Sequence, residues 1–171
     1  MDRRKDKFIL DACCGGRMMW FDKKHPNALY CDIRDEDKGF IKGAEFYSVK
    51  PDMLQDYRSM DFKDKTFKLV VFDPPHIVTN CKTGILIKKF GNLDEGWKNN
   101  IREGFSECWR VLDDYGVLIF KFAQTNKISF KEVLSVIGKT PLFGTKNAST
   151  KNTETRWFCF MKIPQEENPN E

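Results

Sequence analysis

The chain has 171 residues, with 29 Lys and Arg against 25 Asp and Glu, a net charge of +4 and a sequence pI near 8.7. That length is one domain by prior and buries about 70% of its unfolded surface, enough for a core to which 15 Phe lend volume. No run nears the ~18 apolar residues of a membrane span, Met1-Asp2-Arg3-Arg4-Lys5 lacks the apolar stretch of a signal peptide, and the mild positive charge permits nucleic-acid binding without requiring it.

Phe8-Ile9-Leu10 reads as a short buried strand running into Asp11-Ala12-Cys13-Cys14-Gly15-Gly16-Arg17, an acid followed by a glycine turn. Alanine and paired glycines let the backbone approach a ligand closely. Gly16 to Lys24 is predicted as a short first helix ending at His25-Pro26-Asn27, with Met18-Met19-Trp20-Phe21 packed into the core. A second strand, Ala28-Leu29-Tyr30-Cys31, ends at Asp32, 21 residues after Asp11. An acid at that spacing after a glycine turn is the ribose-binding arrangement of nucleoside cofactors on doubly wound sheets. Asp35 to Lys50 has little periodicity and makes a poor helix. The six cysteines are expected as reduced thiols in a cytoplasmic protein. Cys13, Cys14, His25 and Cys31 read as turn and core residues and not as a metal centre, because adjacent cysteines rarely ligate one ion in a closed site.

The apolar run Leu69-Val70-Val71-Phe72 is a buried strand halted by Asp73-Pro74-Pro75-His76. Neither proline has an N–H for a ladder and each fixes φ near −65°. The Asp73 carboxylate and the Asp73 and Pro74 carbonyls are thus acceptors fixed at a strand tip, with a flat ring following. Such a cluster suits an amino group attached to a flat ring. Ile77 to Asn99 is a connection of over 20 residues holding Lys82, Lys88, Lys89 and Lys98, with Phe90 and Trp97 interleaved and glycines at Gly84, Gly91 and Gly96. It reads as a lid that contacts a phosphate backbone or closes over substrate. Asn99 to Leu112 is the best helix, with Ile101, Phe105, Cys108, Trp109 and Leu112 on one face. The strand Val117 to Phe122 follows, then a helix from the N-cap Ser129, with a capping box at Glu132 and a stop at Gly138. Leu142-Phe143 and Arg156 to Lys162 form the last strands, and residues 164–171 a frayed tail. Basic clusters at Arg3-Arg4-Lys5-Lys7 and Lys23-Lys24 extend any nucleic-acid footprint or are solvated surface.

At these residues the chain resembles the class I S-adenosylmethionine-dependent methyltransferases. Asp11 to Arg17 is similar to the family's first motif, acid-x-Gly-x-Gly-x-Gly, with Cys13 and Arg17 in place of the first and third glycines. Asp32 matches the acid that holds the ribose hydroxyls, and Asp56 is carried over as the acid that contacts the adenine amino group. Asp73-Pro74-Pro75-His76 resembles the Asp-Pro-Pro-aromatic motif of amino-methyltransferases acting on bases, with His where Tyr, Phe or Trp is usual. The resemblance, over residues 8–162, implies a single-domain Rossmann-like α/β fold, a doubly wound, mostly parallel seven-stranded sheet with a C-terminal antiparallel strand, spanning residues 1–163. It implies S-adenosylmethionine bound by Asp11, Ala12, Cys13, Gly15, Asp32, Asp56 and Asp73. Asp73, Pro74 and His76 are then catalytic, and His76, Lys82, Lys88, Lys89 and Trp97 contact substrate. The expected acceptor is an exocyclic amine of a nucleic-acid base, adenine N6 first, with a small molecule or protein side chain as the alternative. So small a chain leaves sequence specificity to the 77–99 connection, a homodimer or a partner subunit.

Overall fold

The computed structural model describes residues 6–80, 83–149 and 154–164; Arg3, Arg4, Lys5, Lys82 and residues 165–171 lie outside them. The short apolar runs form strands: β1 (Ile9–Asp11), β2 (Ala28–Asp32), β3 (Met53–Leu54), β4 (Phe67–Phe72), β5 (Leu112–Gln124), β6 (Phe143–Ser149) and β7 (Glu154–Met161). They make one sheet in the order β3-β2-β1-β4-β5-β7-β6. β1 to β5 pair in parallel, and β7 runs antiparallel to both of its neighbours. This is the Rossmann-like, mostly parallel seven-stranded sheet expected from the motifs.

Among the described residues three helices accompany it: α1 (Ile85–Phe90), α2 (Trp97–Val111) and α3 (Phe130–Ile137). α2 buries Trp97, Ile101, Gly104, Phe105, Cys108 and Val111, the stripe that a period of 3.6 dictates. Leu112 leaves the helix and opens β5. α3 starts at Ser129 with the capping box to Glu132 and stops at Gly138 in the left-handed region (φ 68°). The helices meet a phenyl ladder on the sheet. Phe72 and Phe122 stack on either side of Phe120 at 5.6 and 5.7 Å, and Phe105 of α2 meets Phe160 at 5.1 Å. Each fully buried ring contributes about 1.5–3 kcal/mol, so the ends of β4 and β5 are rigid. Gly104 lets α2 come close: a Cβ there would lie 2.5 Å from the Tyr57 ring.

Between β1 and β2 the chain departs from the sequence expectation. Gly16 to Lys24 forms successive turns and no helix. Gly15 and Arg17 take positive φ (49° and 54°), which breaks helical continuity at its start. The Arg17 guanidinium then donates to the Lys23 and Lys50 carbonyls and to Asp52, tying the turns to the β2–β3 connection. Met18 and Phe21 are exposed and not in the core, whereas Trp20 packs edge-on against Tyr30 at 5.0 Å. Residues 33–50 carry no helix either and are held by a Glu36–Val49 bridge. No helix among the described residues is long and apolar enough to cross a membrane.

Candidate active site

In a sheet of this order the strand progression reverses between β1 and β4, and ligands bind beyond the carboxyl ends of the strands at such a switch point. Asp11 ends β1, Asp32 ends β2 and Asp73 follows β4, so three acids cap neighbouring strands. Asp11 is fully buried; Trp20 Nε1 donates to its Oδ2 at 2.7 Å and the Cys13 N–H to its Oδ1 at 3.4 Å. Burial pushes the Asp11 carboxyl up to about 7, with the Asp73 and Asp32 charges adding to the rise and the two hydrogen bonds opposing it. Burial also raises Asp73, although the Lys121 ammonium donates to its Oδ2 at 2.6 Å and pulls it back. Lys121 stands on β5 one step beyond the Phe72–Phe120 register pair, so strand pairing itself sets it beside Asp73. Sequence reasoning missed Lys121. The available signal was a lone cation in the apolar run Val117 to Phe122.

Asp11 gives the fold a pH dependence. Its native value of about 7 lies above the ordinary 3.8, so the native state binds more protons than the unfolded one between those limits. Its favourable contribution is fully present below about pH 4 and is lost as pH rises to about 7, on the order of 4 kcal/mol in all. Asp11→Asn keeps an acceptor for Trp20 and should flatten stability over that window. Urea unfolding of both proteins across pH 4–8 measures it; parallel profiles would refute the assignment.

The glycine turn is held from two sides. The Gly15 N–H donates to Asp32 at 2.9 Å, and the Gly16 N–H to the Tyr47 hydroxyl at 3.0 Å. Asp32 also accepts from the Arg34 backbone N–H, Nε and Nη2, at 3.0, 3.0 and 3.3 Å. All four lone-pair directions of the carboxylate are engaged. Asp56 repeats the pattern: the backbone N–H, Nε and Nη2 of Arg58 all donate to it, and Arg58 holds its carboxyl below the usual range. Asp32-Ile33-Arg34 and Asp56-Tyr57-Arg58 are thus two copies of one Asp-x-Arg clamp, which the sequence reading did not pick out.

Each clamp reaches a further element. Arg34 Nη1 donates to the Lys88 and Lys89 carbonyls at the end of α1, Tyr47 donates to the Lys89 carbonyl at 2.8 Å, and Arg58 Nη1 donates to Asn100 of α2. Residues 77–80 and 83–99 therefore form an arch. Its stems join through a Val78–Leu93 bridge with Leu93 buried, and α1 lies across the top, between Gly84 (φ 109°) and Gly91 (φ 73°). α1 buries no residue; Ile85 and Leu86 are exposed and not pinned to the core. At Gly91 a Cβ would meet Pro75 Cγ at 3.0 Å in a left-handed conformation. Gly91→Ala should cost about 1–2 kcal/mol, read as a lower denaturant midpoint at unchanged slope.

Under the arch is a cavity of about 820 Å³. Ala12, Cys13, Asp32, Asp56 and Asp73 line it from the strand ends, and Pro75, Lys88 and Phe90 from the arch. Asp11 and Gly15 stand behind this wall, Gly15 through its bond to Asp32. Three expected substrate contacts fall elsewhere. His76 is half-buried, its ring edge-on to Phe122 at 6.1 Å, and it does not line the cavity. Trp97 is buried in the core beside Ile101, where the start of α2 needs an apolar anchor. Lys89 points away from this cavity, its Nζ 5.5 Å from the Tyr47 ring centroid. Lys82 lies outside the described residues.

Solved structures share this architecture. A methyltransferase dependent on S-adenosylmethionine from Methanosarcina mazei superposes at TM-score 0.55 and 11% identity over 92% of both chains. The chain has the class I methyltransferase fold. A TehB-like methyltransferase from Corynebacterium glutamicum matches at TM-score 0.53 and 16% identity, over 92% of this chain and 80% of that one. Geranyl diphosphate methyltransferase, solved with geranyl diphosphate and sinefungin, matches at 0.54 and 9%, over 92% and 71%. No family model and no curated protein matches the sequence. Identities this low carry the fold and leave the reaction to the site.

Proposed function

We propose that the protein transfers a methyl group from S-adenosylmethionine to an exocyclic amine of a nucleic-acid base, adenine N6 being the foremost candidate. The observation that carries this is Asp73: a carboxylate fixed by Pro74, Pro75 and Lys121 at the wall of the cavity, where an amine needs an acceptor.

The residues fit the cofactor. The cavity is within the 300–1,000 Å³ usual for small-molecule sites. Asp11, Asp32 and Asp73 cluster so tightly that Asp11 is raised partly by the other two, which favours a cationic ligand among them. Asp32 is the ribose acceptor once Arg34 yields a lone pair, and the small Ala12 and Cys13 side chains leave the cavity wall close to backbone. When bound, the sulfonium cofactor supplies the electrophilic methyl. The chain's own part is orientation and exclusion of water. Asp73 accepts from an amine N–H and turns the nitrogen lone pair toward the methyl. The Pro74 carbonyl follows Asp73 at the strand tip as a second acceptor. Pro75 and Phe90, and not His76, offer the flat apolar surfaces for the acceptor ring. In a duplex the base must first leave the stack.

A small molecule or protein side chain as acceptor is the second reading, favoured by the arch over the cavity and by His76 facing Phe122. Incubation with radiolabelled cofactor and separate pools of DNA, RNA, protein and small metabolites, followed by nucleoside chromatography, decides. Label on a methylated base supports the first reading; label on protein or metabolites alone replaces it with the second.

A further inference from the structure

The helix-free turns between β1 and β2 leave a second cavity of about 950 Å³, on the far side of Gly15, Gly16 and Tyr47 from the first. Its wall carries Lys7, Arg17, Lys23, Lys24, Lys50 and Lys89. Four acids answer these six cations: Glu45 and Asp52 on the wall, with Asp52 taken up by Arg17, and Asp35 and Asp37 outside it, which hold Lys50, so the cations keep a surplus of two. The field inside is therefore positive. The ammonium groups of Lys23 and Lys24 have no partner among the described residues and are exposed. Exposed apolar side chains flank them: Phe46 on the cavity wall is 89% exposed, and Phe21 on the adjoining turn is fully exposed. Two protruding phenyl rings beside unpaired lysines serve no packing purpose in the monomer.

We propose that this groove binds a single-stranded nucleic acid, with Lys23 and Lys24 on its phosphates and Phe46 and Phe21 stacking its bases. Cations that follow a backbone, with rings between them, form the general single-strand platform. The concave wall fits a strand and not a flat lipid surface, which would need the phenyl rings on a convex tip. Gly15 on the groove wall donates to Asp32 on the wall of the first cavity, so a strand lying in the groove passes directly behind the cofactor turn. The proposal rests on the nucleic-acid reading of the acceptor and gives it a footprint.

Fluorescence anisotropy with labelled 12-nucleotide DNA and RNA, over a salt series, tests it. Lys23→Glu with Lys24→Glu should weaken binding and lower the salt slope by about 1.4, at ~0.7 per lost phosphate contact. Phe46→Ala should weaken binding about tenfold with the slope unchanged. Phe46 is exposed, so circular dichroism should show a native fold in each variant. Wild-type affinity and slope in both variants would overturn the groove, as would binding to anionic phosphatidylserine vesicles with none to oligonucleotides. The two proposals fail separately. Methylated nucleosides formed at unchanged rate by the groove variants would remove the groove and leave the reaction. Groove-dependent oligonucleotide binding with label only on a metabolite would leave the groove and remove the acceptor.

Discussion

Asp73→Ala is expected to lower the methylation rate by about 10²–10⁴-fold, the range for one well-placed group acting in the transition state. Cofactor affinity should stay within a few-fold, because Asp73 caps β4 on the acceptor side of the cavity while the glycine turn and Asp32 stand on the other. The substitution leaves the Lys121 ammonium without the partner it holds at 2.6 Å, so Asp73→Asn is the companion variant. Asn keeps an acceptor for Lys121 but removes the charge. Single-turnover rates and calorimetry on both variants separate the two roles. Loss of cofactor binding together with turnover would make Asp73 a cofactor or structural residue.

Asp32→Ala is expected to weaken cofactor binding by roughly ten- to a hundredfold, since each charge-assisted bond to the ribose contributes about 1.5–3 kcal/mol and 1.4 kcal/mol is a decade. Part of that is offset because the ribose hydroxyls replace Arg34 on a carboxylate already fully engaged. Titration of the folded variant with S-adenosylmethionine reads it directly. Affinity equal to wild type would mean that Arg34 never releases Asp32 and that the ribose is held elsewhere.

The sheet and the three capping acids were legible because each rests on a local rule. Apolar runs of three to six residues ending in Asp give strands and strand tips, and Ser129, Glu132 and Gly138 write the limits of α3 almost letter by letter. What escaped the sequence depends on register or on long-range capture. Lys121 meets Asp73 only because β4 and β5 pair in parallel at Phe72 and Phe120. The turns after Gly16 look helical by composition, yet Arg17 finds carbonyls at residues 23 and 50 that no local window contains. Trp97 and His76 were singled out by the same rule, an aromatic near a site as a stacking surface; the structure packs Trp97 into the core and His76 against Phe122. The Asp-x-Arg clamps were open to a reader who compared residues 32–34 with 56–58.

The two halves of the sheet differ in what stabilises them. β4, β5, β7, α2 and α3 share one phenyl core, and such a block opens only near the global unfolding free energy. The β1–β2 and β2–β3 connections have no helix to bury and are tied by single side chains, Arg17, Arg34 and Tyr47. Local opening there breaks a few hydrogen bonds and exposes Ile41, Val49 and Trp20, less apolar surface than the phenyl core holds. On the proposed reading the acceptor side of the site is therefore a fixed anvil, while the cofactor side is a hinged jaw whose order rises when a ligand fills it. Part of the free energy of ligand binding then goes into that ordering, and affinity on the jaw side is set as much by stiffness as by contacts.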